Sequence, residues 1–329
     1  MWTKKISSLL KETLREWSED NASRLAASLS YYAIFSLAPL LIIAIAIAGF
    51  FLGRASVRQE VLLQVRGLVG EGGSKFVQNL IENASRPGAS TWAAIIGVAT
   101  LLLGASGVYG QLQSALNTIW EVEPEPGRGL LNTLIDRFLS FTMVLGTGFL
   151  LLISMFASAA LTIISNFFRH LLPGTELLWQ IIDGVASFAI ITLLFAIMFK
   201  VLPDVRIEWR DVWIGGAVTA LLFTIGKFVI GFYLGNRSVS SAYGAAGSLV
   251  AILLWIYYSA QILFFGAEFT QVYSRRYGSR IRPRQGAVSV YEGRRAQRGI
   301  PREVELHMRT GKPKGAQAES ETPTSEEKS

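Results

Sequence analysis

The sequence predicts an all-α, polytopic membrane protein with six transmembrane helices, and three observations carry that prediction. Hydrophobic residues make up 51% of the chain and charged residues only 17%, where soluble domains run near a quarter charged. Six apolar runs are each long enough to cross a hydrocarbon core of roughly 30 Å as a helix. Trp92, Trp120, Trp179, Trp209 and Trp213 mark the ends of these runs, as an interfacial aromatic belt requires. Cysteine is absent, which excludes disulfides, thiol catalysis and cysteine metal sites. The N-terminus lacks the short apolar segment and small-residue cleavage site of a signal peptide.

Residues 1–20 predict an N-terminal amphipathic cytoplasmic helix. Trp2, Ile6, Leu9, Leu10, Thr13 and Trp17 share one face, with Lys4, Lys5, Lys11, Arg15 and Glu16 elsewhere. Such a helix either lies in the membrane surface or packs on the protein's own cytoplasmic side. Residues 21–276 form the transmembrane domain, with spans at about 31–52, 92–120, 138–164, 177–202, 212–234 and 245–270. Pro39 removes a backbone donor inside the first span and predicts a kink there. The Gly104 to Gly107 patch in the second span favours close helix approach or local unwinding. Between the first two spans, residues 53–91 are too long for a turn. Val57, Val61, Leu62, Val65, Leu68 and Val69, then Phe76, Val77, Leu80 and Ile81 after Gly72-Gly73, predict two short amphipathic helices over the outer mouth. The sixth span is the most distinct: residues 245–267 carry no charge, and Arg275 and Arg276 close it. Residues 277–329 predict a cytoplasmic tail, basic at first and then polar and disordered. No internal repeat stands out.

Orientation follows from the basic residues. The N-terminal arm, the second and fourth connections and the start of the tail hold about twice as many as the opposite side, so both termini should be cytoplasmic. Much of the net charge of +7 lies in Arg275, Arg276, Arg280, Arg282 and Arg284. Membrane lipid headgroups are the expected partner of this strip, and nucleic acid is not.

Ionisable and polar side chains within the spans are the candidate site residues, because burying a charge in lipid costs about 2.5–3.5 kcal/mol on insertion scales. Lys227 on the fifth span and Asp183 on the fourth lie at matched depth and pair across an outward-opening cavity in one reading; in the other, Lys227 snorkels and Asp183 sits at the interface. Glu268 reads as an anchor bridged to Arg275 or Arg276, with a proton or cation carrier as the alternative. Gln261, seven residues earlier, shares its face, so the two can line one polar track. Gln113 and Asn117, spaced i, i+4, read as interhelical glue ahead of substrate contact. Gly244 to Gly247 either break the start of the sixth helix, aiming a helix N-terminus at an anionic group, or make a plain tight loop. Gly231 and Gly235 read as a packing face. The acidic stretch from Glu121 to Glu125 reads as a solvated turn. No phosphate-binding GxxxxGK[ST] loop is present, and two histidines, His170 and His307, support neither a Ser-His-Asp site nor a metal centre. No cofactor and no metal are expected.

Several motifs in order resemble the YihY/BrkB membrane proteins, a family once labelled ribonuclease BN. They are Ala27-Ser28-Leu29-Ser30-Tyr31-Tyr32 leading into Ser36-Leu37-Ala38-Pro39-Leu40, Leu116-Asn117-Thr118-Ile119-Trp120, and Leu202-Pro203-Asp204 with Trp209-Arg210. The last span adds Tyr243-Gly244-Ala245-Ala246-Gly247, Trp255-Ile256-Tyr257 and Gly266-Ala267-Glu268. The similarity covers about residues 21–273. It implies a six-helix bacterial inner-membrane protein with a cell-envelope role such as lipid or small-molecule export. A metal-dependent nuclease needs clustered histidines and aspartates, which this chain lacks, so the chain is not expected to be an enzyme. The expectation is a transporter or exporter, without its own ATPase, of an amphipathic or anionic small molecule or lipid. A non-transporting membrane scaffold for envelope machinery is the alternative. A homo-oligomer is among the assemblies left open.

Overall fold

A computed structural model describes residues 2–84, 107–125, 176–235, 246–278, 281–284 and 286–290. The run at 92–106, the third span at 138–164 and everything beyond residue 290 lie outside the described residues, as do Tyr243, Gly244 and Arg280. What is described is mostly helix. In chain order the helices are α1 (Trp2–Glu19), α2 (Ala22–Leu52), α3 (Arg54–Ala84), α4 (107–119), α5 (Glu176–Val201), α6 (Trp209–Gly235) and α7 (Gly247–Tyr277).

Local chemistry sets their limits. Asn21 takes the left-handed conformation, φ 53°, and separates α1 from α2; asparagine is one of the few side chains that tolerates it. Gly53 turns α2 into α3. The α3 stretch breaks at Gly70, whose φ of 79° and ψ of −174° is a combination open essentially to glycine alone. The α3 stretch therefore holds two helical segments. Pro203 follows the end of α5, where a helix cannot continue. Asp211 lies in the first turn of α6, favourably placed for the positive end of the helix dipole. Pro39 sits within the continuous α2.

Three helices among the described residues are long and apolar enough to cross a membrane: α5 over Gly184–Val201, α6 over Trp209–Gly231 and α7 over Gly247–Tyr277. Their outward faces carry exposed Val185, Leu221, Ile225, Phe228, Val229 and Leu253, an apolar surface of the kind that lipid covers. α6 packs between α5 and α7, and α2 runs along α7.

The α6–α7 crossing is built on two glycine–threonine pairs. A Cβ on Gly215 would fall 1.8 Å from Thr270 Oγ1, and one on Gly266 would fall 2.0 Å from Thr219 Oγ1. Each threonine hydroxyl donates to the carbonyl four residues back, Thr219 to Gly215 and Thr270 to Gly266. Both hydroxyls are thus satisfied within their own helices, and only absent side chains let the backbones approach this closely.

α1 and α3 close opposite ends of this bundle. α1 packs against the last turns of α7, while α3 packs against its beginning and against α2 and α6. Of the two placements expected for α1, the structure has it on its own chain, with Leu9 and Thr13 buried. Ile6, Leu10 and Leu14 stay exposed as an apolar stripe. Beyond α7 the chain does not simply trail away. β3 (Arg282–Pro283) pairs antiparallel with β2 (Val205–Arg206), and β4 (Ala287–Ser289) with β1 (Val122–Pro124). The acidic stretch read as a solvated turn is therefore partly a strand, and Val122, Val205 and Val288 are buried along these pairings.

Candidate functional site

The α1 end of the bundle concentrates buried polar groups. Glu268 on α7 is fully buried, with 0% exposure. Neither of its carboxyl oxygens has a hydrogen-bond donor among the described residues. The group that faces it is a second carboxyl, Asp20, from the turn between α1 and α2. Burial, together with the negative charges of Glu121 and Glu16, pushes the Asp20 carboxyl up to about 6. Gln271, three residues on from Glu268 and 3% exposed, also leaves its side-chain carbonyl without a partner among the described residues. So does Gln261 one heptad earlier. Phe264, fully buried, occupies the helix turn between Gln261 and Glu268, so the polar track expected on this face is interrupted by an aromatic ring. Two indole N–H groups, Trp17 and Trp120, are buried against the same core without acceptors among the described residues.

The salt bridge expected for Glu268 is not made. Arg275 and Arg276 are engaged by α1 instead. Arg275 Nη2 lies 2.8 Å from Glu16 Oε1 and 3.3 Å from Glu12 Oε1, and Nη1 lies 3.9 Å from Glu121 Oε1. Arg276 Nη2 lies 2.7 Å from Glu12 Oε2, and its Nη1 donates to Ser8 Oγ at 2.9 Å. The reason is geometric. Glu268 is one heptad before Arg275 on the same helix, which puts its carboxyl about two turns away along the axis. α1 crosses the end of α7 and brings its acids to the guanidinium groups directly. Burial pulls the Glu16 carboxyl upward, but hydrogen bonds from Arg15 and Arg275 outweigh it and hold Glu16 below its usual range. Arg275 and Arg276, read from the sequence as headgroup contacts, are thus tied to α1 and remain only partly exposed.

A second cluster joins α4 to the α5–α6 connection. Asn117 Nδ2 donates to Asp204 Oδ2 at 2.9 Å, the Asp204 N–H donates to Asn117 Oδ1 at 2.8 Å, and Gln113 Nε2 reaches both Asp204 oxygens at 3.3 Å. The Arg284 N–H then donates to the Asp204 carbonyl at 2.8 Å, so the clasp extends to the strand after α7. Gln113 and Asn117 are thus both hydrogen-bonded to Asp204 in this structure. Asp204 was visible in the sequence as part of the Leu202-Pro203-Asp204 motif but was not singled out as a site residue. Asp20 carried no signal beyond its place at a helix break.

The remaining candidates are scattered. Lys227 is exposed, its Nζ 5.7 Å from the ring centre of Phe228 on its own helix, and it makes no ion pair among the described residues. The Asp183 side chain lies outside the described residues, and the Lys227–Asp183 pair lies there with it. Gly247 is buried as the first residue of α7. Gly72 on α3 comes close enough that an added Cβ would contact Ser248 at 3.8 Å. Arg282 lies in β3, opposite Arg206 in the β2–β3 pairing, and Arg284 directly follows that strand. No group of three or more potential metal ligands occurs among the described residues.

Comparison with known proteins gives matches over most of the chain. The family model described as Virulence factor BrkB matches residues 13–289. A UPF0761 membrane protein of Alteromonas mediterranea is 29% identical over 265 residues, covering 78% of this chain and 84% of the relative. One from Pseudoalteromonas atlantica is 26% identical, covering 82% and 87%. A third, from Psychrobacter sp., is 26% identical over 86% of this chain and 51% of its own length. No solved structure gives a significant match.

Proposed function

The chain belongs to the BrkB family of membrane proteins, and from that premise we propose that it is a transporter or exporter of an amphipathic or anionic envelope-related compound. It would work in the bacterial inner membrane with both termini cytoplasmic and without an ATPase of its own. One observation supports this reading above the rest: α7 buries Glu268 and Gln271, and the side-chain oxygen of the half-buried Gln261, with these acceptors unpartnered among the described residues. A helix kept only for packing has no use for such groups, because each unmet buried acceptor costs about 1–3 kcal/mol. Intramembrane ionisable residues commonly mark substrate or ion pathways. In this reading Phe264 closes the path between Gln261 and Glu268 in the state described here. The stripe of Ile6, Leu10 and Leu14 on α1 rests on the membrane surface, and lipids are the chain's first partners. Nuclease chemistry forms no part of the proposal, with only two histidines in the chain.

The test is flux in sealed liposomes containing the purified full chain. The lumen is loaded with anionic lipids and small envelope metabolites, with and without a proton gradient. Gradient-dependent flux in wild type, lost in Glu268→Gln, supports the transporter. Folded, inserted protein that moves nothing across the panel points to the scaffold reading. Lys227→Met run alongside reports on the exposed lysine; unchanged flux in that variant assigns it to the lipid-facing surface.

A further inference from the structure

Glu268 and Asp20 meet as two carboxyls, and that pairing has a chemical consequence. Ionised carboxylates are acceptors only. Two of them facing each other offer four acceptor oxygens and no donor, so the contact is repulsive unless a proton lies between them. Glu268 has no other donor among the described residues and 0% exposure, so water does not solvate it either. Like-charge carboxyls sharing one site are relieved of their repulsion by holding a proton in common.

The surrounding charges do not relieve the pair. From α1, Glu16 and Glu19 add negative potential at Asp20, and Glu121 adds more from the end of α4. The nearby cations are already committed: Arg275 to Glu12 and Glu16, Arg276 to Glu12, and Arg15 to Glu16 and Glu19. A bound metal ion is disfavoured by the lack of any group of three ligands among the described residues. A proton needs only two oxygens.

We propose that Asp20 and Glu268 form a binding site for a single shared proton at the α1 end of the bundle. The proton is taken from water on that side and the pair's charge changes from −2 to −1; its release restores the repulsion and loosens the α1–α2 turn from α7. The site names the coupling ion of the path proposed above. It rests on that reading for its role in transport, but its existence as a proton site stands on the carboxyl pair alone. The half-buried Asp20, raised to about 6, is the member within reach of solvent.

The experiment is carbodiimide labelling of the full chain in lipid nanodiscs, read by mass spectrometry across pH 5 to 9. The hydrophobic reagent dicyclohexylcarbodiimide modifies protonated carboxyls in apolar surroundings. Wild type is expected to label at Glu268 near neutral pH and to lose labelling as pH rises. In Asp20→Asn the midpoint moves to lower pH by about one unit or more, because the neighbouring negative charge is gone. Absence of Glu268 labelling at any pH in folded protein overturns the proposal, as does a midpoint that Asp20→Asn leaves in place. Labelling that sodium blocks at constant pH also overturns it, since the site then holds a metal cation. Asp20→Asn retains Glu268 and supplies it with a donor, so the comparison does not depend on Glu268→Gln folding. No transported substrate enters the measurement, so a failed flux assay and a failed labelling assay are separate results.

Discussion

The two ends of the helix bundle are closed by helices laid across them, yet with opposite chemistry. At the α3 end the buried residues are aliphatic: Ile45, Val57, Val69, Val77, Ile81, Ala251 and Ile252. Charges there sit outside, as in Arg58–Glu82, whose side chains are 36% and 46% exposed, and the i, i+4 pair Lys75–Glu71. At the α1 end the order is reversed. Glu268, Asp211, Gln271 and Ser274 are buried, Ser274 Oγ donates to Asp211 Oδ2 at 2.9 Å, and the acids of α1 are drawn in against Arg275 and Arg276. Burying apolar surface is enough to hold a lid in place. Buried carboxyls add nothing to that task and make the end sensitive to protonation, which is why the α1 end is where function is expected.

The comparison breaks most severely at the α6–α7 crossing, whose Gly215, Gly266, Thr219 and Thr270 brace the α1 end. Gly266→Val places a branched side chain where Thr219 already stands and is expected to cost about 3 kcal/mol, the upper range for overpacking. It should show as a large fall in unfolding midpoint in detergent micelles. Gly231→Ala on the same helix as Gly215 meets nothing within 4 Å, and should hold or raise stability by about 0.5–1 kcal/mol. If both variants behave alike, the close approach is not what holds the crossing. Next in size is Asp204→Ala. It strips the acceptor from Asn117 and Gln113, and should cost about 2 kcal/mol for the unmet amide groups, measured the same way.

How far these features could be read from the sequence depends on the kind of interaction. Helices long enough to cross a membrane declare themselves through uninterrupted apolar runs, and α5, α6 and α7 fall where the runs at 177–202, 212–234 and 245–270 placed them. Glu268 and Gln261 stood out for the same reason, as polar interruptions of an apolar run. Partners did not. Arg275 looked like the mate of Glu268 because the two share a helix; α1, far away in sequence, takes it. Asp20 sits at a helix break with nothing local to distinguish it, and only the packing of α1 across α7 brings it to Glu268. The strands at 282–283 and 287–289 are too short for any period to register, and their pairing with β2 and β1 is wholly non-local. Gln113 and Asn117 were visible as polar residues in a span, but their common acceptor, Asp204, lies 87 positions from Asn117.

The charge contrast between the ends is sharpened by removing one arginine from each. Arg275→Ala leaves Glu16 and Glu12, 12% and 18% exposed, short of their counter-charge, and should cost roughly 1–2 kcal/mol. Arg58→Ala breaks a partly exposed pair and should cost less than about 1 kcal/mol. High salt should shrink the Arg58 effect more than the Arg275 effect, because Glu16 and Glu12 are largely buried even though the Arg275 side chain is itself 40% exposed. Equal losses and equal salt dependence would erase the distinction.

The effect that isolates the carboxyl pair is a dependence on pH. Asp20 has its folded-state value raised from 3.8 to about 6, so between those values the folded chain holds a proton that the unfolded chain has lost. Stability from this group is therefore fully present below about pH 4, and falls as pH rises to about 6. Above that it stays low. Glu16 works in the opposite sense, because its value is depressed, so the wild-type profile alone mixes the two. The difference between wild type and Asp20→Asn does not, since Glu16 is common to both. That difference should favour the variant by about 1 kcal/mol at pH 7, after allowing for solvent at a half-buried site, and should vanish by about pH 4. Arg58→Ala at the other end should show no such pH-dependent gain. A pH-independent gain in Asp20→Asn would mean that the asparagine merely caps the α1–α2 turn better than aspartate does.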